Sequence, residues 1–89
     1  MFRMTVQDVF VIRGRGAVAT GRVEYGQLSV GDQVRINDGP AVRVDAIELF
    51  RKKVTTVSTG ENIGILLSKI AKDDISAGDV ITSTGAFLV

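Results

Sequence analysis

The sequence predicts an all-β fold: a small, closed antiparallel β-barrel of six to seven strands. Three observations carry that expectation. Short runs rich in Val, Ile, Thr and Phe recur along the chain, the composition of strands. Ten glycines punctuate 89 residues and fall between or inside those runs, where turns and bends are needed. No segment repeats apolar residues at helical period for long enough to make a stable helix. Strands this short leave exposed edges in an open sheet, and closure into a barrel removes them. The length suits one domain, taken as residues 1–89.

In chain order, residues 4–13 read as a strand whose crowded apolar end, Val9-Phe10-Val11-Ile12, predicts burial on both faces. Gly14-Arg15-Gly16 is a tight turn. Residues 17–25 form the next strand, with Gly21 inside it marking a bulge or a close backbone approach. Gly26 to Gly31 is a connection, and Gln33 to Ile36 a short alternating strand. Asn37-Asp38-Gly39-Pro40 is the clearest turn in the chain. Residues 41–50 alternate apolar and polar with a phase slip at Ala46-Ile47, as a bulge produces. Arg51-Lys52-Lys53 closes that strand with a basic cluster. Further strands are expected at 54–59, 63–70 and 79–83, with a single helical turn around 72–78. Leu28-Ser29-Val30-Gly31-Asp32 is echoed by Ile75-Ser76-Ala77-Gly78-Asp79. We read this as one turn device used twice, in which glycine supplies the unusual φ and Asp bonds nearby amides.

Composition excludes several chemistries. There is no Cys and no His among the 89 residues. Disulfides, thiol nucleophiles, imidazole bases and most transition-metal sites go with them. The sequence implies no cofactor, no metal and no catalytic residue. Eleven basic residues stand against ten acidic ones, a net charge of +1. Contact with RNA would have to be local rather than driven by overall charge. No apolar run approaches the roughly 18 residues of a membrane span. With no secretory leader in view, a cytoplasmic protein without membrane contact is expected.

The glycine cluster invites comparison with a phosphate-binding loop and fails it. Gly16 and Gly21 have the P-loop spacing, but Arg22-Val23 stands where Lys-Ser/Thr belongs and a strand follows in place of a helix. Neighbouring acids such as Asp73 and Asp74 fit a solvated turn better than an acid–base pair. Arg13, Arg15, Arg22 and Arg51 to Lys53 suit either a phosphate-binding patch or ordinary surface charge.

Six motifs in collinear order resemble the second domain of bacterial elongation factor Tu. They are Asp8-Val9-Phe10, Gly14-Arg15-Gly16, Thr20-Gly21-Arg22-Val23-Glu24 with Gly26, Val30-Gly31-Asp32, Glu48-Leu49-Phe50-Arg51-Lys52 and Gly60-Glu61-Asn62-Ile63-Gly64. The resemblance spans roughly residues 2 to 86 and implies the translation-factor β-barrel. It also implies a binding role at the aminoacylated 3′ end of tRNA, carried by Asp8, Phe10, Glu48, Phe50, Arg51, Glu61 and Asn62. Carboxylates there can accept from ribose hydroxyls or a base edge, phenyl rings supply an apolar wall, and Arg51 can meet a phosphate. The GTPase motifs of the full factor are missing, so no GTPase activity is expected of this chain. Three departures stand out: Gln7 where the family has Glu, a shorter turn at 37–40, and Tyr25 where an Arg is usual. They suggest a stand-alone paralogue.

Two functional readings follow. The first is a non-catalytic module for aminoacyl-tRNA or ribosomal RNA. The second is a protein-interaction domain that keeps the barrel and has lost tRNA, docking a partner through Phe2, Met4 or the tail Phe87-Leu88-Val89.

Overall fold

The computed structural model describes residues 1–83. Nine strands follow one another: β1 (Phe2–Ile12), β2 (Gly16–Ser29), β3 (Gln33–Ile36), β4 (Ala41–Arg43), β5 (Ala46–Leu49), β6 (Lys52–Val54), β7 (Thr56–Ser58), β8 (Asn62–Leu67) and β9 (Val80–Ser83). A 3-10 turn at Lys72–Asp74 is the one helical piece among the described residues. Every pairing is antiparallel. The sheet runs β4-β3-β9-β1-β2-β8-β5-β6, and β7 pairs with the far end of β2. It curls round because its two sides belong to one stretch of chain. The segment 41–49 pairs with β3 through β4 and with β8 through β5. At the junction, Val44 bonds to Asp32 on one side and Asp45 to Leu66 on the other. Nine strands appear where six to seven are expected because that segment counts twice and because a separate short strand, β6, precedes β7, the strand expected at 54–59.

The core is the inner face of this curled sheet. Phe2, Met4, Val6, Ala17, Ala19, Val23, Leu28, Val34, Val44, Ile47, Val57, Ile63, Ile65, Leu67 and Ile81 are buried there, and Ile75 closes one end. Their alternation along each strand is the two-residue period of a sheet with one wet face. Phe2 and Met4 are almost wholly buried (1% and 0% exposed), so neither can form a docking patch. The tail 87–89 lies outside the described residues.

Several local expectations need correction. β2 does not end at Tyr25; it continues through Gly26 to Ser29, because Gln27 to Ser29 finds a partner in β7. The break in the segment 41–50 falls at Val44-Asp45, where the strand changes partners, and not at Ala46-Ile47. β8 stops at Leu67, and the amide of Ile70 turns back to the carbonyl of Leu67. The end of β1 is not buried on both faces. Phe10 and Val11 are 46% and 50% exposed: Phe10 pairs with Val18 on the outer face, and beyond Thr5 β1 has no second strand partner among the described residues.

Gly21 marks both features that a strand glycine can signal. β1 carries an extra residue, Gln7, between the pairs Val6–Gly21 and Asp8–Thr20. A Cβ on Gly21 would stand 2.4 Å from the carbonyl oxygen of Thr5. The second bulge is on β2 at Glu24, opposite Arg3 and Met4. Glu24 uses it to reach across. Its carboxylate pairs with the Arg3 guanidinium at 2.7 Å and accepts from the amide and hydroxyl of Thr5. The Thr5 hydroxyl first, then Arg3, hold the Glu24 carboxyl below its usual range.

The repeated turn device is present at both predicted places. In each, the acid's side chain accepts from the Ser amide at 2.9 Å (Asp32 to Ser29, Asp79 to Ser76). The acid's own amide returns to the Ser carbonyl, and the glycine has φ +96°. A third copy, Ser58-Thr59-Gly60-Glu61, uses Glu in place of Asp. The Glu61 carboxylate accepts from the Ser58 amide at 2.7 Å, and Gly60 has φ +91°. In all three the glycine amide also donates to a carbonyl remote in sequence: Val44 at the β4–β5 junction, Val6 on β1 and Val23 on β2 respectively. Each turn is therefore pinned to the barrel as well as closed on itself.

Candidate nucleic-acid interface

The site begins with a missing side chain. Thr20 on β2 pairs with Gly64 on β8, and Gly64 pairs with Glu48 on β5. Directly paired residues share a face. Ile63 and Ile65 point into the core, so Thr20, Gly64 and Glu48 form a row across the outer face. The absent side chain at the middle of that row leaves a depression. The next row out is Arg22 and Asn62, and the next row in is Val18, Leu66 and Ala46.

Around the depression lies an open cleft of about 210 Å³, walled by Gln7, Phe10, Thr20, Glu48, Phe50 and Asn62. Arg51 is also on its rim. Five of the seven residues implied by the resemblance therefore meet: Phe10, Glu48, Phe50, Arg51 and Asn62. They come from three places along the chain: β1, the β5–β6 hairpin and β8. A second space, room for about one water molecule at 10 Å³, continues from the cleft past Gly64 between Ile12, Val18 and Leu66. Glu48, Lys53 and Arg15 stand at its mouth.

Two of the seven do not join. The bulge at Gln7 puts Gln7 on the cleft and turns Asp8 away to a different depression, beside Lys72 and Asp73. Asp8 is exposed there and accepts from the amide of Val9 at 2.9 Å. The Glu61 carboxylate is committed to closing its own turn. Sequence reasoning gave Thr20 and Gly64 no role, though they form the floor. The signal was the glycine inside an otherwise apolar strand.

The chemistry available is recognition. An exposed ring (Phe50 is 84% exposed), a second half-exposed ring, a carboxylate, a guanidinium and a carboxamide can stack on flat groups, accept from hydroxyls and meet a phosphate. Among the described residues no group of three or more His, Cys, Asp or Glu is placed to hold a metal. No helix there is long and apolar enough to cross a membrane.

The curled antiparallel sheet defines a translation-factor β-barrel. The family model for elongation factor Tu domain 2 matches residues 16–82, and the chain belongs to that family. Solved structures agree. A bacterial selenocysteine-specific elongation factor, EF-Sec, superposes with a TM-score of 0.86 at 26% identity over 93% of this chain. The apo form of translation elongation factor SelB from Methanococcus maripaludis gives 0.85 at 27% identity over 96%. The chain spans 14% and 19% of the lengths of those two proteins.

Proposed function

We propose that this domain is a non-catalytic binding module whose outer-face cleft receives the aminoacyl acceptor end of tRNA. The observation that carries the reading is the convergence of Phe10, Glu48, Phe50, Arg51 and Asn62 on the depression at Gly64. Single-stranded nucleic-acid ends are held by stacking, by hydroxyl contacts and by local cations, and this cleft offers each of them. The net charge of +1 argues against a general polyanion binder. The similar structures are elongation factors, one of them specific for selenocysteine, which supports a ligand that carries an aminoacyl group. The cleft is shallow and open, so affinity for the isolated domain should be weak, about micromolar or poorer.

Amide-resolved titration with charged and uncharged acceptor-stem minihelices tests this. Shifts at Arg51, Asn62 and Gly64 are expected, larger with the charged RNA. Gly64→Ala should weaken binding while the domain stays folded. Its φ is ordinary, and the new methyl would stand in the cleft floor 3.3 Å from Val18 Cγ1. Undisturbed resonances at these residues, or equal response to charged and uncharged RNA, would overturn the reading.

A further inference from the structure

Beyond Thr5, β1 pairs with β2 alone among the described residues. Backbone groups of an antiparallel strand alternate between its two sides. The Val6 amide and carbonyl face away from β2, where they bond to Asp79 and Gly78. The Asp8 carbonyl faces β2 and accepts from the Thr20 hydroxyl, and the Ile12 carbonyl accepts from the Arg15 amide inside the hairpin. The extra residue Gln7 has shifted the alternation, so the outward-facing groups after Val6 are those of Val9 and Val11. Phe10 and Val11 are half-exposed there. An open edge with apolar side chains is a template for another strand.

This edge matches itself. In an antiparallel pairing with a second copy centred on Phe10, Val9 of each chain meets Val11 of the other. Both are outward-facing, so each such pair can exchange two hydrogen bonds. Phe10 then lies directly across from the second copy's Phe10 on the outer face, in the closer kind of pair that suits two rings. The ends of the segment are opposite in charge, Asp8 at one and Arg13 and Arg15 at the other. The antiparallel direction brings the acidic end of each strand towards the basic end of its mate.

One interaction stands in the way. The Asp8 carboxylate accepts from the Val9 amide of its own strand at 2.9 Å. Water serves an accessible amide nearly as well, so the bond adds little to folding. It does take the donor that the pairing needs. A charged oxygen already stands where the carbonyl of the second copy's Val11 would have to come. Both Val9–Val11 pairs use a Val9 amide, so one carboxylate per chain closes the whole register. We propose that the β1 edge at Val9 to Val11 fits a second copy of this chain, and that Asp8 holds the edge shut by capping Val9. This role lies away from the cleft and is independent of what the cleft binds.

Sedimentation velocity of the parent, Asp8→Ala and Asp8→Asn at one concentration tests this. The parent should run as a monomer and Asp8→Ala at twice that mass, as a two-fold pair does. Asp8 is exposed, so Asp8→Ala should fold like the parent, which circular dichroism checks. Asp8→Asn keeps an oxygen for the Val9 amide and should stay monomeric. Adding Val11→Pro removes an outward amide and should return Asp8→Ala to a monomer. The chain has no cysteine, so Phe10→Cys puts a single thiol at the two-fold centre. Oxidative cross-linking through it should be about tenfold or more faster with Asp8→Ala than without, because pairing raises the local thiol concentration. A parent that already dimerises overturns the proposal, as does a folded Asp8→Ala chain that stays monomeric. Asp8→Asn dimerising as Asp8→Ala does would overturn the capping. Association that survives Val11→Pro, or cross-linking that Asp8→Ala leaves unchanged, would place the contact on another surface and overturn the edge.

Discussion

Gly21 and Gly64 lack a side chain for opposite reasons. At Gly64 the missing group opens space on the outer face, and an added methyl meets side chains only, Val18 Cγ1 at 3.3 Å and Thr20 Cγ2 at 3.8 Å. At Gly21 the missing group lets two strands touch. A Cβ there would lie 2.4 Å from the Thr5 carbonyl oxygen and 2.9 Å from Met4 Cγ, and neither has room to retreat in a buried ladder. Gly21→Ala should lower stability by roughly 1–3 kcal/mol or more, as overpacking does. Urea unfolding should register it as a lower midpoint with an unchanged slope.

Among the elements, the three Ser-x-Gly-acid turns fix where β2, β7 and the segment after Lys72–Asp74 deliver their strands. The carboxylate is the closing atom in each, whatever its surroundings. Asp32→Ala and Glu61→Ala should each lower stability by about 1 kcal/mol, the usual loss for one hydrogen bond. Denaturant titration of the two variants checks this. The comparison separates turn closure from ligand contact at Glu61. In this structure its carboxylate faces Ser58, so minihelix binding by Glu61→Ala should fall far less than binding by Gly64→Ala.

Taken whole, the molecule's response to pH follows from three carboxylates. Glu24 is held low by Thr5 and Arg3, Asp45 by Ser68 together with Arg43 and Lys69, and Asp79 by Asn37 and the Ser76 amide. A carboxyl whose folded-state pKa lies below its unfolded value adds stability that is fully present above the ordinary carboxylate range. That stability is lost as pH falls through the depressed folded values. There is no histidine to titrate near neutrality. Melting temperature, followed by circular dichroism, should therefore be nearly level from about pH 5 to 8 and fall below about pH 4.

The sequence by itself determined the class of fold, the family and the turn device, because each is local. Alternation, glycine position and Ser-x-Gly-Asp spacing all act within a few residues. It also marked the segments 48–51 and 60–62 that approach the cleft. Only the tertiary structure decided which of their side chains meet. The extra residue Gln7 turns Asp8 off the cleft, and the exchange of partners at Val44-Asp45 brings Glu48 beside Gly64. Register across strands sets both, and a one-residue shift moves a side chain to the opposite face. The exposed tip of β1 escaped the sequence for the same reason. Phe10 and Val11 look like core by composition, but Phe10 lies on the outer face and β1 has no second strand partner beyond Thr5 among the described residues, which only long-range pairing could say.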